Sequence, residues 1–181
     1  IVRAMTWRQL VAGFWSRFWP RVWPRVWHRR SDPPAMVLPE RQADTVEVFK
    51  AARRLELKSD GGVLKSYRVA LGFAPERHKE REGDGRTPEG AYTIDARNPR
   101  SAFHLSLRVS YPDDKDKAQA AALGVPPGGD IYIHGQPNGP TKFTVGHPNK
   151  DWTIGCIAVT DAEIREIWSL VPTGARVVIH P

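Results

Sequence analysis

The chain has 181 residues, 40% of them hydrophobic and 26% charged. That suits one ordinary domain with an appendage and is too apolar for wholesale disorder. The net charge of +7 suggests nucleic acid until it is partitioned: residues 1–31 hold seven Arg and no acid, whereas residues 32–181 hold 20 basic and 20 acidic residues. The body is neutral, which excludes a basic nucleic-acid-binding domain.

In chain order, the first feature is a Trp/Arg leader. From Trp15 the sequence runs WSRF-WPRV-WPRV-WHRR, with Trp15, Trp19, Trp23 and Trp27 in one register and Arg17, Arg21, Arg25 and Arg29 in another. A spacing of four stays near one helical stripe, but Pro20 and Pro24 interrupt a continuous helix. Trp beside Arg suits a membrane interface and anionic lipid. Three readings stand for residues 1–31: an export or membrane-surface segment, a disordered low-complexity leader, or a nucleic-acid arm. No apolar run is long enough for an ordinary transmembrane helix. The chain begins with Ile1, so it is read either as a fragment or as starting at Met5. Ser31-Asp32-Pro33-Pro34 opens a predicted linker over residues 32–43.

Residues 44–180 read as one mostly β domain with short helices. Apolar–polar alternation predicts strands over 45–49, 53–58 and 63–71, with a turn at Gly61-Gly62. Residues 72–90 are charged and Gly-rich, hence a loop. Strands follow over 91–95 and 103–110. Residues 113–123 predict a short helix, with acids at its start, an Ala-rich centre and Gly124 after it. Residues 130–134 form a strand ending at His134. A second helix starts with Asp161 as cap and runs to about residue 170, with Ile164, Ile167 and Trp168 on its apolar face. Residues 176–180 are the last strand.

The chemistry centres on Ile133-His134-Gly135 and on Thr153-Ile154-Gly155-Cys156-Ile157, the cysteine falling 22 residues after the histidine. The single cysteine excludes a disulfide framework and a multi-cysteine metal site. A free thiol is mostly protonated at neutral pH, and a neighbouring imidazole that takes its proton and holds an ion pair makes it a nucleophile. Gly155 allows close backbone approach, and amides around Gly155 and Cys156 are placed to face an oxyanion. By itself, a lone Cys beside Gly is more often a small buried apolar residue.

The order and spacing of Gly-Asp-Gly-Arg-Thr-Pro-Glu-Gly-Ala-Tyr-Thr-Ile (83–94), Ser110-Tyr111-Pro112, His134-Gly135 and the 153–157 motif resemble the L,D-transpeptidase catalytic domain, a YkuD-type family of bacterial peptidoglycan enzymes. The resemblance covers about residues 44–180 and leaves out residues 1–31. It implies Cys156 as nucleophile, His134 as general base and Gly155 as an oxyanion contact. Thr153 stands where the family has Ser or Thr. Gly135, Thr153, Tyr111 and Arg86 are expected at the substrate. Two positions depart from the family: Ile154 where His is often found, and Ala158 where Arg or Asn is usual. In this the chain is similar to a branch with Cys-Ile-Ala that runs on to hydrolysis of murein.

The resemblance thus implies a thioester on a tetrapeptide stem, resolved by an amine, with hydrolysis by water as the alternative. An inactive peptidoglycan-binding or membrane-bound scaffold is the third reading. Expected partners are peptidoglycan stem peptides and, through residues 1–31, a membrane surface, in the periplasm or elsewhere in the bacterial envelope. No cofactor, metal or nucleic acid is expected, and the His residues show no HExxH spacing. Plainer roles are expected for His104 in its strand, for His147 in a loop, and for Trp152 as a cleft wall.

Overall fold

Apolar–polar alternation lays down the first strands. In the computed structural model, which describes residues 32–181, β1 (Thr45–Phe49) buries Val46 and Val48, and β2 (Arg54–Ser59) buries Leu55 and Leu57. Their intervening side chains face the opposite side of the sheet. β3 (Gly62–Arg68) pairs antiparallel with β2 across a tight turn whose central residues, Asp60 and Gly61, both have positive φ. This is the chemistry of a two-residue hairpin. The leader and its Trp/Arg repeat lie outside the described residues.

β4 (Gly90–Ser101) joins the two halves of the sheet. Its first residues pair with β8 (Arg176–His180), which runs parallel beside β1, and its remainder pairs with β5 (His104–Val109). Strand propensity predicts only 91–95 here. The extension is polar and contains Pro99, and two register irregularities mark it, so it owes its form to pairing with β5 rather than to its own pattern. β6 (Tyr132–His134) pairs antiparallel with β5, and β7 (Ile157–Ala158) pairs parallel with β6. The strand order is β3-β2-β1-β8-β4-β5-β6-β7. At two residues, β7 is too short for periodicity to reveal.

Both α-helices among the described residues begin with reciprocal caps. Ahead of α1 (Asp114–Ala122), Asp113 accepts from the backbone of Lys115 and Asp116, and the Asp116 carboxylate accepts from Asp113 N. Ahead of α2 (Asp161–Leu170) the cap is Thr160, paired with Glu163, and not Asp161 as its composition suggests. Asp161 is instead inside the first turn, where its carboxylate accepts from Gln136 N at 2.9 Å. α2 packs Ile164, Ile167 and Trp168 into the core beside β5 and β6. Residues 32–43 have one 3-10 turn, Pro39–Arg41, and are tied to the end of α2 by Val37 N to Ser169 O and Ala43 N to Leu170 O. No helix among the described residues is long and apolar enough to cross a membrane.

Candidate active site

β6 delivers His134 to one end of the sheet. The residue is 3% exposed. Its ring lies 4.5 Å from that of Phe103 and edge-on to Trp152 at 5.7 Å, centroid to centroid. Nδ1 is 2.6 Å from the Gly135 carbonyl oxygen. A carbonyl only accepts, so Nδ1 carries the proton and Nε2 keeps a lone pair. Gly135 is held in turn by its N–H, directed to Phe103 O at 3.0 Å and Leu105 O at 3.3 Å. A Cβ at Gly135 would come within 2.7 Å of Asp161 Oδ1. This glycine, expected at the substrate, is buried and orients the imidazole.

Cys156 sits immediately ahead of β7. Ile133 pairs with Ile157 and His134 with Ala158. Extending the alternation back one residue puts Cys156 on the His134 face of the two strands. The segment before it is fastened at several points. Asp151 accepts from Leu71 N at 2.8 Å and from Arg53 at 2.8 and 2.9 Å. Thr153 bonds through its backbone to Leu71 O and Phe73 N, and Ala158 exchanges both backbone bonds with Ala70.

Thr153 Oγ1 donates to Cys156 O at 2.7 Å and accepts from Gly155 N at 3.1 Å. Gly155 has φ +132°, and a Cβ there would meet Arg86 O at 2.6 Å, so only glycine fits. The Gly155 N–H is therefore already engaged by Thr153. The Cys156 N–H makes no hydrogen bond among the described residues and is the freer donor at this turn.

Burial dominates the electrostatics. It lowers the His134 pKa to about 4, against the pull of the Gly135 carbonyl and with added repulsion from His147. It raises the Cys156 thiol to about 11, opposed by the Tyr132 N–H and by Lys79 and reinforced by Asp130. Both groups are neutral at rest in the physiological range, which differs from the ion pair expected from Cys–His chemistry alone. The reason is that loss of water disfavours both charged forms, completely so at buried His134 and in part at half-buried Cys156. The thiol lies 3.5 Å from Asp130 O, to which it donates. Beside it opens a cleft of about 220 Å³ lined by Lys79, Glu82, Asp130, Ile131, Ile154 and glycines.

The model of the L,D-transpeptidase catalytic domain family, YkuD, matches residues 43–179. The chain belongs to this family. Among curated proteins it is similar to "Putative L,D-transpeptidase YafK" of Escherichia coli (strain K12), 28% identical over 142 residues, which is 75% of this chain and 50% of that protein. Among solved structures it shares its fold with the helical cell shape determining protein Pgp2 of Campylobacter jejuni (TM-score 0.57, 23% identity, 75% of this chain and 46% of that one). It also shares it with Bd1075 of Bdellovibrio bacteriovorus (TM-score 0.53, 20% identity, 83% and 52%). The chain thus spans about half the length of these relatives.

Within this L,D-transpeptidase domain the other expected site residues scatter. Tyr111 is buried, stacks edge-on with Tyr92 and donates through its hydroxyl to Pro127 O at 2.9 Å, which secures the loop leading to Gly128 and Asp130. Arg86 pairs with Glu80 at 2.9 Å and faces a different depression from Cys156, although its backbone carbonyl abuts Gly155. Ala158 is fully buried, so no polar group stands two residues after the cysteine, while Ile154 is 65% exposed at the cleft rim. Phe103 as a partner of His134, and Lys79 and Asp130 as cleft residues, escape sequence reasoning. Each reaches the site from a distant loop or strand, and only the motif-rich 83–94 stretch next to Lys79 gave a hint.

Proposed function

We propose that the domain is a cysteine-dependent acyltransferase that acts on peptidoglycan stem peptides in the bacterial envelope, on its periplasmic side. The observation that supports this is the parallel pairing of β6 with β7, which by strand alternation sets Cys156 on the His134 side, together with the Nδ1 bond to Gly135 O that leaves Nε2 available as the proposed base. Sγ attacks the carbonyl that joins the third-position diamino acid to D-Ala, and Nε2 takes the thiol proton as the C–S bond forms. Because both groups rest neutral, transfer and attack occur together and need no standing ion pair. The Cys156 N–H supports the oxyanion. The imidazolium returns its proton to the departing amine, D-Ala leaves, and a thioester remains. An amine acceptor then yields a crosslink and regenerates the thiol.

Hydrolysis is the second reading, favoured by the apolar Ile154 at the rim and by the buried methyl of Ala158, which put no polar group at either position to hold an acceptor. Intact-protein mass spectrometry after incubation with tetrapeptide muropeptides tests both. A stem-peptide adduct on Cys156 supports acyl transfer, and full muropeptide turnover by Cys156→Ala would sink it. Crosslinked dimers among the products support transfer, and trimmed stems without dimers support hydrolysis.

A further inference from the structure

The cleft beside Cys156 is lined by one cationic side chain among the described residues, Lys79. It is 3% exposed, and its ammonium donates to Asp84 Oδ1 at 2.8 Å and to Arg81 O at 3.0 Å. A buried ammonium needs a partner, and Asp84 supplies one. That carboxylate has other obligations, however. It also accepts from the backbone N–H groups of Glu80 at 2.8 Å, Arg81 at 3.1 Å and Arg86 at 3.0 Å. Its negative charge is shared among four donors, so the cation is held rigidly but not fully neutralised. Two of its three N–H groups are spent, and the third has no partner among the described residues.

The charges near Sγ are few. Glu82 and Asp130 line the same cleft and are both unfavourable to a thiolate, while His134 lies on the neighbouring strand and is neutral at rest. Lys79 is the remaining full charge, and it carries the favourable sign. We propose that Lys79 is a positioning residue for the Cys156 reaction: a preorganised cation in the cleft wall that stabilises negative charge developing on Sγ and on the adjacent oxyanion. A cation already fixed in a water-poor wall stabilises that charge without reorganising when it appears. The same bonds brace the 79–86 loop, so the structural and electrostatic roles must be separated by measurement.

This inference rests on Cys156 being the nucleophile, yet its test needs no substrate. Iodoacetamide alkylation of the full chain is followed by intact-mass spectrometry across pH, and the single cysteine gives a single adduct. Lys79→Met is expected to move the midpoint of the rate profile up by about one pH unit and to slow alkylation about tenfold at any pH below it. Asp130→Asn, at a positive-φ position that Asn tolerates, is expected to move the midpoint down and confirms that the profile senses charge at this wall. If Lys79→Met does not fold, the double variant Lys79→Met/Asp84→Asn removes both charges; because Lys79 and not Asp84 lines the cleft, the midpoint is still expected to rise, by less than in the single variant, and an unmoved midpoint overturns the proposal. A folded Lys79 variant with a lowered Tm and the wild-type midpoint overturns the proposal. Muropeptide turnover that survives Cys156→Ala would instead remove the nucleophile and leave the alkylation result standing.

Discussion

At one end of the sheet, β1, β2 and β8 bury Val46, Val48, Leu55, Leu57, Val177 and Ile179 in plain alternation. At the other end, β6 and β7 contribute three and two residues; Ile133, Ile157 and Val159 are buried there too, and the segments beside them are held in addition by clustered polar contacts. Arg53 reaches Asp151 and Lys79 reaches Asp84, while Thr153 closes its own turn. The first end is stabilised by area removed from water, a non-directional effect that tolerates repacking. The second adds directional bonds to that burial, and these set positions finely and fail when one partner is lost. A site that must hold a sulfur and an imidazole in register belongs at the second kind of end.

That contrast can be broken in graded ways. The largest effect is expected from Cys156→Ala, with a loss of muropeptide turnover of at least ~1000-fold and no acyl adduct in the intact-mass spectrum. Asp151→Ala is expected next. Losing the bonds to Leu71 N and Arg53 shifts the 151–156 segment, and kcat/KM falls by up to ~100-fold while the fold persists, read by steady-state kinetics beside circular dichroism. Leu57→Ala, at the other end, is expected to do the reverse. Its side chain is fully buried, so unfolding is easier by about 2–5 kcal/mol in a urea titration, with little change in activity per folded molecule.

Thr153→Ala carries a smaller expected effect, about 1 kcal/mol of stability and about tenfold in rate, because it removes the hydroxyl that links Gly155 N to Cys156 O. The smallest change is one of pH. With His134 lowered to about 4 from the usual 6.5, the acid limb of kcat/KM is expected to have its midpoint near 4, measured on the free enzyme. The linked stability has the matching sign. The unfolded chain protonates this histidine first, so stability declines as pH falls from about 6.5 toward 4. An acid limb centred near 6.5 would show His134 in contact with solvent.

The two ends also differ in how far they can be read before folding. β1, β2, β8 and both helices follow from local pattern and capping chemistry, even though the α2 cap moves one residue to Thr160. Half of β4 and all of β7 do not, because their strand form comes from neighbours that local composition does not name. Cys156, His134 and Thr153 stand out as a spaced motif. The roles of their surroundings are another matter. Tyr111 and Arg86 look like substrate residues in sequence; in the structure Tyr111 props a loop from the core, and the Arg86 side chain pairs with Glu80 and lines a different depression from Cys156. Gly135 looks like a place for substrate and proves to be the acceptor that orients the imidazole.

The opening count of charges already separated a neutral β domain from a basic leader, because composition and periodicity are properties of short stretches. Cys156 and His134, the proposed nucleophile and base, were legible too, as residue types at a characteristic spacing. Only the tertiary structure decided which imidazole nitrogen is free, that thiol and imidazole both rest uncharged, and that Lys79 is the cation lining the cleft beside the sulfur. All three depend on burial, and the thiol also on Asp130 and Lys79, both tens of residues from Cys156. Solvation and long-range bonds come into being only when the chain closes on itself.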